Sequence, residues 1–71
     1  MSNERSLMDP VRILHVFNKM SRGGAETAIM NLYRVIDRDR IHFDFLVHDE
    51  SRGDYDEEIQ ELGGRIFVAP K

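Results

Sequence analysis

RILHVFNKMSRGGAETAIMNLYRVI, from Arg12 to Ile36, is the stretch that decides the fold. Its first part, Arg12-Ile-Leu-His-Val-Phe17, is rich in β-branched and aliphatic residues and reads as a strand buried on both faces. Asn18 to Gly24 follows with Asn, Ser and a glycine pair, the composition of a loop. From Ala25 the period changes to that of a helix. Ala25, Ala28, Ile29, Leu32, Val35 and Ile36 form one apolar stripe, which predicts a helix over 25–36. Glu26 lies in its first turn and Arg34 in its last, where the helix dipole favours an acid and a base respectively.

Strand and helix signals alternate through the rest of the chain. Ile41 to His48 alternates, with Ile41, Phe43, Phe45 and Val47 on one face and His42, Asp44 and Leu46 on the other. Asp54-Tyr-Asp-Glu57 matches a capping pattern, an acceptor followed three residues later by Glu. The short helix it opens should turn Tyr55, Ile59 and Leu62 inward. Gly63-Gly64 stops that helix, one glycine suiting the left-handed position. Arg65 to Ala69 is a third strand, closed by Pro70. Crossovers of this length require parallel strands. The predicted fold is α/β: a β-α-β-α-β, three-stranded parallel half of a Rossmann-like domain. Residues 1–10 are a polar, aperiodic leader, expected to be disordered, in which Met8 is an alternative start. Residues 11–71 form the half-domain.

Composition bounds the function. The 71 residues are 41% apolar, enough for one modest core, and stability should not exceed about 4–10 kcal/mol. No cysteine is present, so disulfides, thiolate–zinc sites and cysteine nucleophiles are excluded. The 13 acidic and 10 basic residues give a net charge of −3, with the arginines scattered among acids. That argues against nucleic acid as a partner. No run approaches the ~20 apolar residues of a membrane span, and residues 1–10 lack a signal-peptide core. These absences favour the cytoplasm.

Ser21-Arg-Gly-Gly-Ala-Glu26 is the candidate site. In open α/β sheets ligands bind beyond the carboxyl ends of the strands, where this loop lies. Gly23 and Gly24 let a ligand approach the backbone, and the N–H groups of Gly24, Ala25 and Glu26 point out of a helix N-terminus that suits an anion. The bland alternative is a tight strand-to-helix turn. Neither the dinucleotide G-x-G-x-x-G nor the P-loop pattern is present, so a dehydrogenase half-domain is disfavoured. Asp49 and Glu50 then read as solvated loop acids. His15 reads as a satisfied core residue, and His42 and His48 as surface residues. The histidine spacing suits no zinc site, and the acids from Asp54 to Glu61 form a solvated face. Met20 and Met30 read as packing residues.

ILHVF, SRGGAETAIMNLYR, DFLVH and GDYDEEIQELGGRIF, in that order, resemble the N-terminus of family-4, group-1 glycosyltransferases of the GT-B type. The likeness is strongest to the bacterial enzymes of exopolysaccharide, capsule and lipopolysaccharide synthesis, and it covers roughly residues 11–70. The resemblance implies an enzyme of two Rossmann-like domains. It would move a sugar from a nucleotide-sugar donor to a saccharide or lipid-linked acceptor without a further cofactor or metal. By that likeness Gly23 and Gly24 offer backbone N–H groups to the donor diphosphate. No catalytic residue is assigned, and Glu26 is expected to hold the first helical turn. The second domain is missing, so these residues alone are expected to be inactive. The cytoplasmic setting extends, by the same likeness, to peripheral contact with the membrane. The alternative from another class is a small non-catalytic α/β interaction module. If both helices cover one face, the other face and the open edge of the first strand should drive self-association of the piece.

Overall fold

The structure, a computed structural model, describes residues 10–70. The disorder expected of the leader therefore lies outside the described residues, Pro10 excepted. Five elements follow in the expected order: β1 (Val11–Phe17), α1 (Gly24–Val35), β2 (Ile41–Val47), α2 (Asp56–Glu61) and β3 (Arg65–Val68). The sheet is parallel, in the order β1-β2-β3. Ile13 pairs with Phe43, His15 with Phe45, and Phe45 in turn with Ile66. Partners in register point to the same face, so the odd positions of β1 and β2 share one side of the sheet.

Both helices pack on that side. Met30 and Tyr33 from α1, Ile59 from α2, Phe43, Phe45 and Val47 from β2 and Met20 from the first loop form one buried cluster. Tyr33 stacks on Phe43 with ring centroids 4.8 Å apart. Arg34 Nε donates to Glu58 Oε2 at 2.6 Å and joins the two helices. Met20 and Met30 are core residues, as expected.

Three expectations need correction. First, the buried stripe of α1 is rotated. Met30 and Tyr33 are buried, Ile29 and Ile36 pack beside them, and Ala25, Ala28, Leu32 and Val35 face water, Val35 being 78% exposed. The sequence offers two apolar stripes, and the bulkier one, with the aromatic ring, lies against the Phe43–Phe45 surface. Second, β1 is open on both faces: Leu14 and Val16 are 56% and 57% exposed on the even-numbered side, and Val11 and Ile13 54% and 42% on the odd-numbered side. Neither helix reaches the even-numbered face. Third, Asp54 does not cap α2. Tyr55 is the N-cap, without a side-chain bond, and it is Asp56 Oδ2 that accepts from the Gly53 N–H at 2.8 Å.

Two histidines also differ from expectation. His42 and His48 are half-buried rather than surface residues. Tyr33 Oη shares a 2.9 Å hydrogen bond with His42 Nδ1, and His48 Nδ1 lies 2.8 Å from the Ala69 carbonyl oxygen. Gly63 takes φ +98°, the left-handed conformation the helix stop required.

Candidate functional site

The loops that follow β1 and β2 meet at the carboxyl end of the sheet. The N–H groups of His48 and Asp49 both donate to Asn18 O, at 3.0 and 2.8 Å. Tyr55 N donates to Met20 O at 3.0 Å, and Thr27 Oγ1 shares a 2.8 Å hydrogen bond with Tyr55 Oη. Gly53 is buried, and a side chain there would come within 2.6 Å of Met20 O. The glycine loop thus sits on a base held by backbone bonds on both sides, so its position does not rest on flexible side chains.

Gly23 is the N-cap of α1 in extended conformation, and no side chain caps the helix by a hydrogen bond. Its carbonyl accepts from Thr27 N at 2.9 Å, the first bond of the helix. The N–H groups of Gly24, Ala25 and Glu26 have no acceptor within the helix by geometry, and they open onto the loop end. Gly24 has an ordinary φ, and a Cβ built on it meets nothing within 4 Å. Packing among the described residues therefore does not require glycine there.

Glu26 folds back toward the N-cap. A Cβ on Gly23 would lie 2.6 Å from Glu26 Oε1, and Ser21 Oγ donates to Glu26 Oε2 at 3.2 Å. The carboxylate thus ties the loop to the first turn, the role expected of it, and it sits where the helix dipole favours negative charge. Lys19, Arg22 and Arg52 stand in the same two loops. Asp49 has its carboxyl held below the usual range by the Ser51 hydroxyl, which donates at 2.6 Å. It makes a local turn in the loop after β2, apart from the glycine pair in the loop after β1.

Sequence reasoning missed two features. On the even-numbered face Asp44 is only 6% exposed. Arg12 Nη2 donates to its Oδ1 at 2.7 Å and Arg65 Nη2 to its Oδ2 at 2.9 Å. Hydrogen bonds from Arg12, then those from Arg65, hold the Asp44 carboxyl well below the usual carboxylate range against the opposing effect of burial. An acid between Phe43 and Phe45 is the signal, but its partners lie 32 and 21 residues away. The second is His15, expected to be a satisfied core residue. Its ring packs on Phe43, centroids 4.3 Å apart, yet its buried Nε2 has no hydrogen-bond partner among the described residues. Burial pushes its pKa down.

With the geometry in place, similarity to known proteins adds chemistry. A Bacillus subtilis (strain 168) protein named as a glycosyltransferase, EpsF, is 54% identical over 59 residues, covering 83% of this chain and 15% of its own length. The capsular polysaccharide biosynthesis glycosyltransferase CapH of Staphylococcus aureus is 30% identical over 53 residues, 75% of this chain and 15% of its own. The chain is related to glycosyltransferases. It spans about 15% of the length of these two relatives. No family model and no solved structure matches it. Among the described residues no helix is long and apolar enough to cross a membrane.

Proposed function

We propose that this chain is the N-terminal part of a family-4 glycosyltransferase of the GT-B type. The full enzyme moves a sugar from a nucleotide-sugar donor to a saccharide or lipid-linked acceptor during surface-polysaccharide synthesis. It works in the cytoplasm, peripherally at the inner face of the membrane, with no cofactor beyond the donor. In this reading the backbone N–H groups of the Gly23-Gly24 turn face the donor diphosphate. Charge builds on that diphosphate as the sugar–phosphate bond breaks, and fixed N–H dipoles at a helix N-terminus stabilise it without reorganising.

The observation that carries the reading is Gly24. Glycine stands where neither an unusual φ nor a neighbouring atom calls for one. Close approach by a molecule outside the chain accounts for it. The relatives' names support the chemistry, and their greater length supports donor contacts lying in a second domain.

The test compares the 71-residue chain with the longer enzyme against a panel of UDP- and GDP-sugars and generic acceptors. Transfer by the longer enzyme and none by the chain alone is the expected result. Robust turnover by the chain alone would overturn the assignment of donor contacts to a second domain. A non-catalytic interaction module would show transfer in neither.

A further inference from the structure

Tyr55 stands where the local backbone has no use for its hydroxyl. It is the N-cap of α2, a position that favours a short side chain with an acceptor oxygen, and it makes no side-chain cap there. Asp54 and Asp56, the residues on either side, are of the capping type. The Tyr55 ring packs against the core, with the Arg34 guanidinium 5.7 Å from its centroid, and its hydroxyl reaches α1.

That reach brackets the glycine turn. The Tyr55 N–H donates to Met20 O at 3.0 Å, just before Ser21. The Tyr55 hydroxyl shares a 2.8 Å hydrogen bond with Thr27 Oγ1, just after Glu26. One residue of the loop after β2 thus holds both ends of the segment that carries Gly23 and Gly24.

The Thr27 hydroxyl has a competing use. The Thr27 N–H donates to Gly23 O at 2.9 Å. A threonine inside a helix commonly turns its hydroxyl back on that same carbonyl, and such back-bonding bends the helix. Here Tyr55 engages Oγ1 instead, and the N-cap carbonyl keeps its bond to the Thr27 N–H. The free N–H groups of Gly24, Ala25 and Glu26 take their direction from that first turn.

We propose that Tyr55, acting through Thr27, is the positioning residue that aims the Gly24–Glu26 N–H groups at the donor diphosphate. The inference rests on the glycosyltransferase reading and adds to it a residue from the loop after β2.

The longer enzyme tests it as Tyr55→Phe, Thr27→Val, the two combined, and Thr27→Ser, with Gly24→Val as the reference. For each, kcat, the acceptor KM and the thermal midpoint are measured. Tyr55→Phe removes one oxygen and leaves the packed ring. It and Thr27→Val are each expected to lower kcat about tenfold, within the range that small misplacements cost. The acceptor KM should stay within about twofold, and the combined variant should be no slower than the slower single one, since both remove the same hydrogen bond. Thr27→Ser keeps the hydroxyl and should keep kcat. A purely structural role would lower the midpoint and leave kcat of the folded variants alone. Should Tyr55→Phe fail to fold, the contrast of Thr27→Ser with Thr27→Val carries the test. Normal kcat in Tyr55→Phe beside an inactive Gly24→Val would overturn the proposal and leave the glycosyltransferase reading standing. Losses that multiply in the combined variant, or equal kcat in Thr27→Ser and Thr27→Val, would overturn it too. Normal kcat in Gly24→Val would remove the diphosphate site, and this proposal with it.

Discussion

Gly23-Gly24 and Gly63-Gly64 are the same dipeptide in two places, and the fold treats them differently. At Gly63 φ is +98° and a Cβ would meet His42 Cε1 at 2.7 Å. At Gly64 a Cβ would meet Ile59 Cγ2 and the Phe43 carbonyl oxygen, each at 2.8 Å, and Tyr33 Oη at 3.1 Å. Backbone conformation and packing both demand glycine at the second pair. At the first pair neither does. Gly23 would press only on the far end of the Glu26 side chain, and Gly24 on nothing. A glycine explained by its neighbours is structural. One left unexplained by them is, in the proposed reading, where the donor diphosphate comes close.

The largest effect on stability is expected at the second pair. Gly64→Ala forces atoms into a packed site that includes backbone, at a cost of about 1–3 kcal/mol. Gly63→Ala places a side chain in the left-handed region against His42, at about 1–2 kcal/mol. Against a total of about 4–10 kcal/mol these are large, and urea midpoints would register both. A Gly64→Ala chain as stable as the wild type would dissolve the contrast between the two pairs.

Acid should also loosen the support of the second pair. Arg12 bonds both Asp44 and the Gly63 carbonyl, so it ties the stop of α2 to the sheet. Asp44 has a depressed carboxyl pKa, chiefly through its Arg12 hydrogen bonds, and Glu58 a depressed one, chiefly through Arg34. Their contribution is whole above the ordinary carboxylate value near pH 4 and fades as the pH falls below it. His15 is shifted down by burial, so the unfolded chain binds its proton more readily and stability begins to fall below about pH 6.5. Stability is therefore expected to drop in two stages, with Asp44→Asn removing most of the lower one. Urea titrations at about pH 7.5, 5.5 and 3 resolve the stages. A flat profile down to pH 3 would show that these groups do not hold the fold.

Much of this was legible in the sequence. The five elements appear in the predicted order because each has its own period and is closed by loop residues such as Asn18, Asp37 and Gly63. Boundaries moved by a residue or two: α1 starts at Gly24 rather than Ala25, and β3 ends at Val68 rather than Ala69. The face of α1 was misread because Ala25, Ala28, Leu32 and Val35 keep helical spacing as well as Ile29, Met30, Tyr33 and Ile36 do. Spacing alone does not say which stripe meets Phe43. The Arg12–Asp44–Arg65 group was illegible because it depends on register across three strands. Gly23 and Gly24 were placed correctly at a helix N-terminus, but only coordinates show that the space before Gly24 is open.

The smallest expected effect on stability falls at Gly24, where the effect on turnover is expected to be greatest. Gly24→Ala should leave stability unchanged or raise it by up to about 1 kcal/mol, since alanine is the better helix former. Gly24→Val should likewise fold, valine being no worse than glycine in a helix.

The most direct test of the account is therefore kcat in the longer enzyme carrying Gly24→Val, measured beside its thermal midpoint. A side chain at that point would displace the donor phosphate from the N–H groups. The account predicts an unchanged midpoint and a fall in kcat of about 10²–10³-fold, the loss that follows removal of one preorganised donor of this kind. Near-normal kcat in a well-folded Gly24→Val enzyme would contradict it and leave Gly23-Gly24 as a turn and nothing more.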